Sequence, residues 1–298
     1  MIDEYEGDVP GAALLVVRDG SVVLRRCAGM ADLENRIPVT PSTNFRLASM
    51  TKQFIARAIE ILGVSLEQRV LRDITVRQLL SHTSGLIDYE ELIGARASSP
   101  AAIGRLARSP IGRRARRSPA ADETSALQQL SDHDVLQLLD QTDHTYFPPG
   151  SEYRYSNGGY VLLGLFIERI SGIPLEQFLH DEIFAPLGMT GTVLGTRDVT
   201  NRAYGYTFED GAWVRRDQSV TSATRGDGGI YSSIDDLQKW DASLADRRLE
   251  FGWHHAPGKV WHEGETVSFR NVIVKFPAER TTFVMLTNRN EWCGTLFP

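Results

Sequence analysis

Cysteine and lysine are both scarce in this chain of 298 residues. The only cysteines are Cys27 and Cys293, and two cysteines make neither a disulfide framework nor a zinc site built from several cysteines. Lysine occurs only at positions 52, 239, 259 and 275, whereas lysine and arginine together number 32. Arginine therefore supplies nearly all the positive charge. A lysine inside a motif thus indicates that a side chain able to lose its proton is needed at that position.

Long hydrophobic runs are also missing. The longest, residues 161–167, suits a buried helix and is far shorter than a membrane span. Residues 1–6 are acidic and include no hydrophobic region, so no signal peptide is visible and we expect a cytoplasmic protein. The net charge of -6 argues against nucleic acid as the main partner.

Metal-binding patterns are absent from the sequence as well. Three of the seven histidines, His254, His255 and His262, lie close together along the chain. No His-Glu-x-x-His pattern and no paired Cys/His pattern accompanies them, so we expect no metal and no organic cofactor.

The order of strands and helices predicts the fold class. Asp-Gly between the apolar runs 12–17 and 22–26 is a strong hairpin signal, and residues 259–262, 269–276 and 282–286 are typical of strands. Most of the chain between these two ends is helical in pattern, including a short helix predicted at 74–80. We therefore predict an α/β (α+β) fold, with an antiparallel sheet built from both chain ends, flanked by helices, and an inserted, mostly helical lobe.

The predicted lobes have explicit boundaries. Residues 1–62 and 195–298 form the sheet lobe, and residues 63–194 form the helical lobe. Within the latter, residues 94–126 are rich in Arg, Ala, Ser and Pro and lack apolar periodicity, which predicts a mobile insertion. A basic patch that recruits an acidic partner is the alternative for this segment.

The motif Ser49-x-x-Lys52 carries the first chemical signal. Residues 54–62 have helical periodicity, so a helix beginning near Ser49 would place Ser49 and Lys52 on one face. A serine hydroxyl needs a base to become a nucleophile, and lysine can act as that base whereas arginine cannot lose its proton. Ordinary helix capping is the alternative.

A second pair, His82 and Ser84, lies in a predicted turn. Hydrogen bonds from these polar side chains to the backbone of the turn are favoured over a role as nucleophile and base.

Three motifs follow one another in order: Ser49-x-x-Lys52, Tyr155-Ser156-Asn157 and His262-Glu263-Gly264. With this set, most of the chain resembles the serine β-lactamase and penicillin-binding protein superfamily. Within that superfamily it is most similar to the class C β-lactamase-like branch, which includes family VIII carboxylesterases and D-amino-acid peptidases.

The resemblance implies a role for each motif residue. Ser49 would be the acylated nucleophile, Lys52 its proton partner, and Tyr155 would share the role of base. Asn157 would orient Lys52 and the substrate carbonyl, and His262 would take the place of the lysine in the Lys-Thr-Gly version of the third motif. Gly264 would let the substrate approach the strand edge. The backbone N–H groups of Ser49 and Glu265 would form the oxyanion hole.

The chain also departs from the family pattern. The segment between the Ser49 helix and residue 74 is short, and so is the segment 249–262. The chain stops at Pro298, where the family usually continues into a C-terminal helix packed on the sheet.

We therefore expect a serine hydrolase without cofactor that acts through an acyl-Ser49 intermediate on a small-molecule ester or amide. Carboxylic esters are favoured over D-amino-acyl amides and β-lactams, because a carboxylate-bearing substrate would prefer lysine to His262. A non-catalytic binding or regulatory module is the alternative, and a metallohydrolase using His254, His255 and His262 is a distant third. The sequence leaves the oligomeric state open.

Overall fold

The computed structural model describes residues 2–97, 129–195, 199–245 and 247–291. Most of the predicted insertion at 94–126 lies outside the described residues. Its first four residues, 94–97, are the end of a helix, Tyr89–Ala97, and the mobility of the segment stays a prediction.

The described strands are mostly short, apart from those of the main sheet. They are β1 Ala12–Arg18, β2 Ser21–Ala28, β3 Met30–Asp32, β4 Ile37–Pro38, β5 Phe45–Arg46, β6 Arg69–Leu71, β7 Ile74–Thr75, β8 Val193–Leu194, β9 Tyr206–Glu209, β10 Ala212–Arg215, β11 Ile230–Ser232, β12 His254–Ala256, β13 Lys259–Thr266, β14 Phe269–Phe276 and β15 Thr281–Thr287.

The described α-helices lie mainly in the middle of the chain. They are α1 Thr51–Leu62, α2 Val76–Leu80, α3 Tyr89–Ala97, α4 Asp132–Asp140, α5 Asn157–Ser171, α6 Leu175–Leu179 and α7 Ile234–Ser243. Short 3₁₀ turns occupy Asp3–Tyr5 and Ala48–Met50, and a π-helical turn, His180–Phe184, extends α6.

Six antiparallel strands form the main sheet in the order β12-β13-β14-β15-β1-β2. The predicted hairpin is present as β1 and β2, and its turn uses the left-handed backbone of Asp19 (φ 51°) and Gly20 (φ 75°), as a tight hairpin requires. The strands predicted near the C-terminus pair as β13, β14 and β15. The predicted fold class, an antiparallel sheet made from both chain ends, is therefore confirmed. The lobe boundaries 1–62, 63–194 and 195–298 stay a prediction.

Side chains on the central strand β1 alternate between two apolar layers. Leu15 belongs to the large core shared with the helices, whereas Leu14 packs with Val272, Met285 and the N-terminal Tyr5 on the opposite face. Both faces of β1 are thus covered, which explains why its pattern reads as a continuous apolar run.

The large core joins the sheet to α1, α5 and α7. Phe54 on α1 stacks on Trp240 of α7 with ring centroids 4.2 Å apart, and the Trp240 indole N–H donates to Gln53 Oε1 at 3.0 Å. These contacts fix α1 between the sheet and the helical lobe. The first turn of α1 is therefore anchored to α7.

In the part of the chain described, no single helix is long and apolar enough to cross a membrane. Two consecutive helical segments, Asn157–Ser171 and Leu175–Phe184, are long and apolar enough only when taken together, and the chain bends by 82° between them.

Candidate active site

Ser49 lies in the 3₁₀ turn Ala48–Met50, and the α-helix that follows begins at Thr51. The preceding residue, Ala48, has a left-handed backbone (φ 50°), which non-glycine residues rarely adopt. The surrounding structure therefore forces a strained conformation immediately before Ser49, as is common at functional sites.

Gly264 on β13 packs directly against this turn. A Cβ added at Gly264 would overlap the Leu47 carbonyl oxygen and lie 3.1 Å from its carbonyl carbon and 3.3 Å from Met50 N. The side-chain position of Gly264 is thus filled by the backbone just before Ser49, and approach of a substrate to the strand edge here stays a prediction. We conclude that glycine is needed at position 264 so that the Ser49 turn can lie against β13.

Lys52 lies in the first turn of α1 and is fully buried, with 0% of its surface exposed. Its Nζ donates three hydrogen bonds, to Ser49 Oγ at 3.0 Å, to Asn157 Oδ1 at 2.9 Å and to the Asp227 carbonyl oxygen at 2.8 Å. The structure therefore brings Ser49, Lys52 and Asn157 together as predicted.

The three partners of Lys52 differ in what they can donate. The Asn157 Oδ1 atom and the Asp227 carbonyl only accept hydrogen bonds, whereas a serine hydroxyl can donate one. A neutral lysine keeps two protons, which these two acceptors would hold. Its lone pair would then face Ser49 Oγ, which is the arrangement needed to receive the serine proton.

Tyr155 and Asn157 approach Ser49 from the N-terminus of α5. The Tyr155 hydroxyl donates to Ser49 Oγ at 2.8 Å. Ser156 caps the helix by accepting from Gly159 N–H, and Asp88 Oδ2 accepts from the Asn157 N–H at 2.9 Å. The second motif thus combines a helix cap with two side chains aimed at the first motif.

His262 lies on β13 beside the site and is only 3% exposed. Burial holds the pKa of its imidazole well below the ordinary value, and the charge of Lys52 and the neighbouring His254 lower it further. His262 is therefore neutral at physiological pH and supplies no fixed positive charge. Direct contact between His262 and a substrate stays a prediction.

The three histidines of the metallohydrolase alternative do not converge. The rings of His254 and His262 lie 5.3 Å apart, but His255 is exposed and, as the next residue on strand β12, points to the opposite face from His254. Across the described ranges, no group of three His, Cys, Asp or Glu side chains is placed to hold a metal ion.

A polar cleft opens beside Ser49. Its lining residues are Arg46, Ala48, Ser49, Tyr89, Glu90, Asn157, Thr221, Thr224, Asp227, Gly228, Glu265 and Thr266. Of the predicted third-motif residues, Glu265 borders the cleft, while His262 and Gly264 are not among these lining residues. A wider groove continues from it past Glu90 and Thr221 to Ile93 and Arg270.

Comparison with known proteins identifies the family. The family model described as Beta-lactamase matches residues 1–250. The chain belongs to the β-lactamase family. The predicted resemblance to the serine β-lactamase and penicillin-binding protein superfamily is thereby confirmed.

Two curated proteins and one solved structure illustrate what the chain is similar to. A D-aminopeptidase of Brucella anthropi is 28% identical over 251 residues, which is 80% of this chain and 42% of that protein. Penicillin-binding protein 4* of Bacillus subtilis is 26% identical over 332 residues, covering 93% of this chain and 68% of that one. The octameric penicillin-binding protein homologue from Pyrococcus abyssi shares the fold, with a TM-score of 0.75 and 24% identity over 95% of this chain and 70% of that one. The chain therefore spans less than half the length of the D-aminopeptidase.

Within this β-lactamase-family site, two contributors were missed from the sequence. Asp227 binds Lys52 through its backbone carbonyl, and Asp88 holds the N–H of Asn157. The run Gly226-Asp227-Gly228-Gly229 was a usable signal, since glycine near a strand often marks close approach of another backbone. A Cβ added at Gly228 would indeed lie 3.6 Å from Ala48 Cα.

Proposed function

We propose that this chain is a serine hydrolase that forms an acyl-enzyme on Ser49 and cleaves small carboxylic esters. One observation carries the proposal: Ser49 Oγ lies within hydrogen-bonding distance of both Lys52 Nζ, at 3.0 Å, and the Tyr155 hydroxyl, at 2.8 Å. A nucleophile in contact with two groups that can exchange protons, beside an open cleft, has the parts that acyl transfer needs.

The proposed reaction has two steps, acylation of Ser49 and hydrolysis of acyl-Ser49. Ser49 Oγ forms a bond to the ester carbonyl carbon, and its proton passes to the Lys52 amine, either directly or through the Tyr155 hydroxyl, which gives up its own proton as it takes this one. The bond from the carbonyl carbon to the alcohol oxygen then breaks, and the alcohol leaves with that proton. Water attacks acyl-Ser49 in the same way, releasing the carboxylic acid and restoring the serine.

The charge around Ser49 supports esters over β-lactams. A β-lactam antibiotic carries a carboxylate, which a fixed cation in the third motif would attract. Here the corresponding residue is His262, which is buried and neutral. Glu90 and Glu265 also line the cleft and would repel an anionic substrate.

Intact-protein mass spectrometry tests the proposal. After incubation with a fluorophosphonate, we expect one adduct per chain, located on Ser49 by peptide mapping, and a much slower or absent adduct with benzylpenicillin. Protein that is folded by circular dichroism yet takes up neither probe would contradict the proposal and favour the non-catalytic binding module. An adduct with penicillin faster than with the fluorophosphonate would reassign the substrate to lactams.

Glu90 favours a second candidate, hydrolysis of amino-acyl amides or esters. Burial raises the pKa of the Glu90 carboxyl, and the charges of Asp88 and Asp227 raise it further. A substrate ammonium placed there would offset the repulsion among these three carboxylates. The similar protein from Brucella anthropi is a D-aminopeptidase by name, which agrees with this candidate.

Glu90→Gln separates the two candidates. If a substrate ammonium binds beside Glu90, kcat/KM for D-alanine p-nitroanilide should fall about 3- to 10-fold in this variant. That is the size expected for the loss of one partly exposed ion pair. The kcat/KM for p-nitrophenyl butyrate, which has no ammonium, should stay unchanged. Glu182→Gln, an exposed helical residue outside the cleft, is the matched control. An equal effect of Glu90→Gln on both substrates would remove the amino-acyl candidate.

A further inference from the structure

Tyr155 must be held by something other than regular secondary structure. Residues 153–156 form neither helix nor strand, and α5 begins only at Asn157. Yet the Tyr155 hydroxyl lies 2.8 Å from Ser49 Oγ. A displacement of about 1 Å at such a group can cost on the order of 100-fold in rate, so the contacts that hold this loop matter for the chemistry.

One residue, His82, contacts the loop at three consecutive positions. Its backbone carbonyl accepts the Arg154 N–H at 2.9 Å, and its Nδ1 accepts the Ser156 N–H at 3.2 Å. Between these two bonds its ring stacks on the Tyr155 ring, with centroids 4.4 Å apart and planes 30° apart. His82 thus holds the residue before Tyr155, the residue after it and the phenol itself.

His82 is itself fixed in place. Its backbone is left-handed (φ 57°), its N–H donates to the Leu79 carbonyl at 3.3 Å, and its ring packs against Tyr160 with centroids 5.1 Å apart. Burial lowers the pKa of the imidazole to about 3, with Lys52 and His254 adding to the shift. The ring is therefore neutral, and because Nδ1 accepts a hydrogen bond, the proton lies on Nε2.

We propose that His82 is a positioning residue for Tyr155: its Nδ1 and its ring together place the Tyr155 hydroxyl against Ser49. This inference rests on the proposed function, in which Tyr155 exchanges the serine proton. Histidine suits the position because it supplies both a stacking ring and a hydrogen-bond acceptor. Phenylalanine would leave the Ser156 N–H unsatisfied, at a residue only 2% exposed, and asparagine would remove the stack.

The chain just before this loop has further anchors that do not involve the His82 side chain. Gly150 N–H donates to the Thr83 carbonyl at 2.7 Å, and Tyr146 N–H donates to the Gly85 carbonyl at 2.8 Å. Both bonds are made by backbone atoms near His82. Variants of the His82 side chain should therefore keep the loop attached and alter mainly its last residues.

The test is a double-mutant cycle between positions 82 and 155. We expect His82→Phe and His82→Asn each to lower kcat for a p-nitrophenyl ester about 10- to 100-fold, with KM nearly unchanged. In a Tyr155→Phe background, where the hydroxyl is already gone, the same substitutions should lower kcat less than 3-fold. His180→Asn, which alters an exposed histidine, is the control.

Two kinetic outcomes would overturn the inference. One is that both His82 variants keep the wild-type kcat although Tyr155→Phe lowers it. The other is the same loss of kcat with and without the Tyr155 hydroxyl, which would indicate a structural role only. Hydrogen exchange of the peptide covering 153–157 gives a readout without activity: faster exchange in His82→Phe supports the inference, and unchanged exchange contradicts it. An inert wild-type protein that keeps this exchange difference would instead contradict the proposed function alone.

Discussion

In a Ser49→Ala variant, hydrolysis of p-nitrophenyl esters should fall by about 10⁴-fold or more, because loss of the nucleophile in an acyl-transfer enzyme removes nearly all of the chemistry. In Lys52→Arg, the rate should fall by about 10³-fold, because arginine stays protonated and cannot take up the proton of Ser49. The two residues share one hydrogen bond, so the double variant should be scarcely worse than Ser49→Ala.

Lys239→Arg is the matched control for the lysine substitution. Lys239 also donates to a backbone carbonyl and a side-chain oxygen, those of Gly188 and Asp236, but it lies on α7 outside the cleft lining. We expect kcat/KM of the Lys239→Arg variant to stay within about 2-fold of the wild-type value, because the substitution lies away from the active site. Steady-state kinetics and thermal unfolding on the same preparations separate loss of chemistry from loss of fold. A Lys52→Arg variant that keeps a tenth of the activity would remove Lys52 as the proton acceptor and leave Tyr155 alone in that role.

Local patterns were the part of the fold that the sequence could predict well. The Asp19-Gly20 hairpin and the strands β13 to β15 depend on short-range turn chemistry and apolar runs, and they lie near the predicted positions. Strand β13 is longer than predicted, since it runs to Thr266, four residues past the predicted end at 262. The helix predicted at 74–80 was too long, because Ile74–Thr75 pairs with Arg69–Leu71 and the helix starts at Val76. Thr75 and Gln78 form a capping box there, a Thr-x-x-Gln signal that would have given the correct start.

Contacts made by backbone atoms across long stretches of chain could not be predicted. Lys52 donates a hydrogen bond to the carbonyl of Asp227, 175 residues further along the chain. No pattern of side chains predicts which backbone carbonyl will lie beside Lys52. The interpretation of His82 and Ser84 as residues of a turn agrees with the Ser84 Oγ, which accepts the Leu86 N–H. That interpretation nevertheless hid the contacts of His82 with Tyr155, since the partner loop is more than 70 residues away.

Gly264 has a packing reason for being glycine that the motif does not state. The motif predicts that glycine leaves room for substrate, and the structure shows that the vacant side-chain position is taken by the Leu47 backbone. Backbone atoms of a packed turn cannot rotate away as a flexible side chain can. The spacing between β13 and the Ser49 turn therefore depends on the absence of a single Cβ.

Gly264→Ala should consequently lower both stability and activity. Forcing the Ser49 turn away from β13 should cost about 3 kcal/mol in the free energy of unfolding, as overpacking of a rigid site does. The accompanying shift of Ser49 should lower kcat/KM by about 100-fold in the protein that remains folded. Gly94→Ala is the control, because a Cβ there meets no atom of the described residues within 4 Å and alanine favours helix. Urea unfolding and ester kinetics measure the two effects. If Gly264→Ala behaved like Gly94→Ala in both, the close contact with Leu47 would not be what requires glycine.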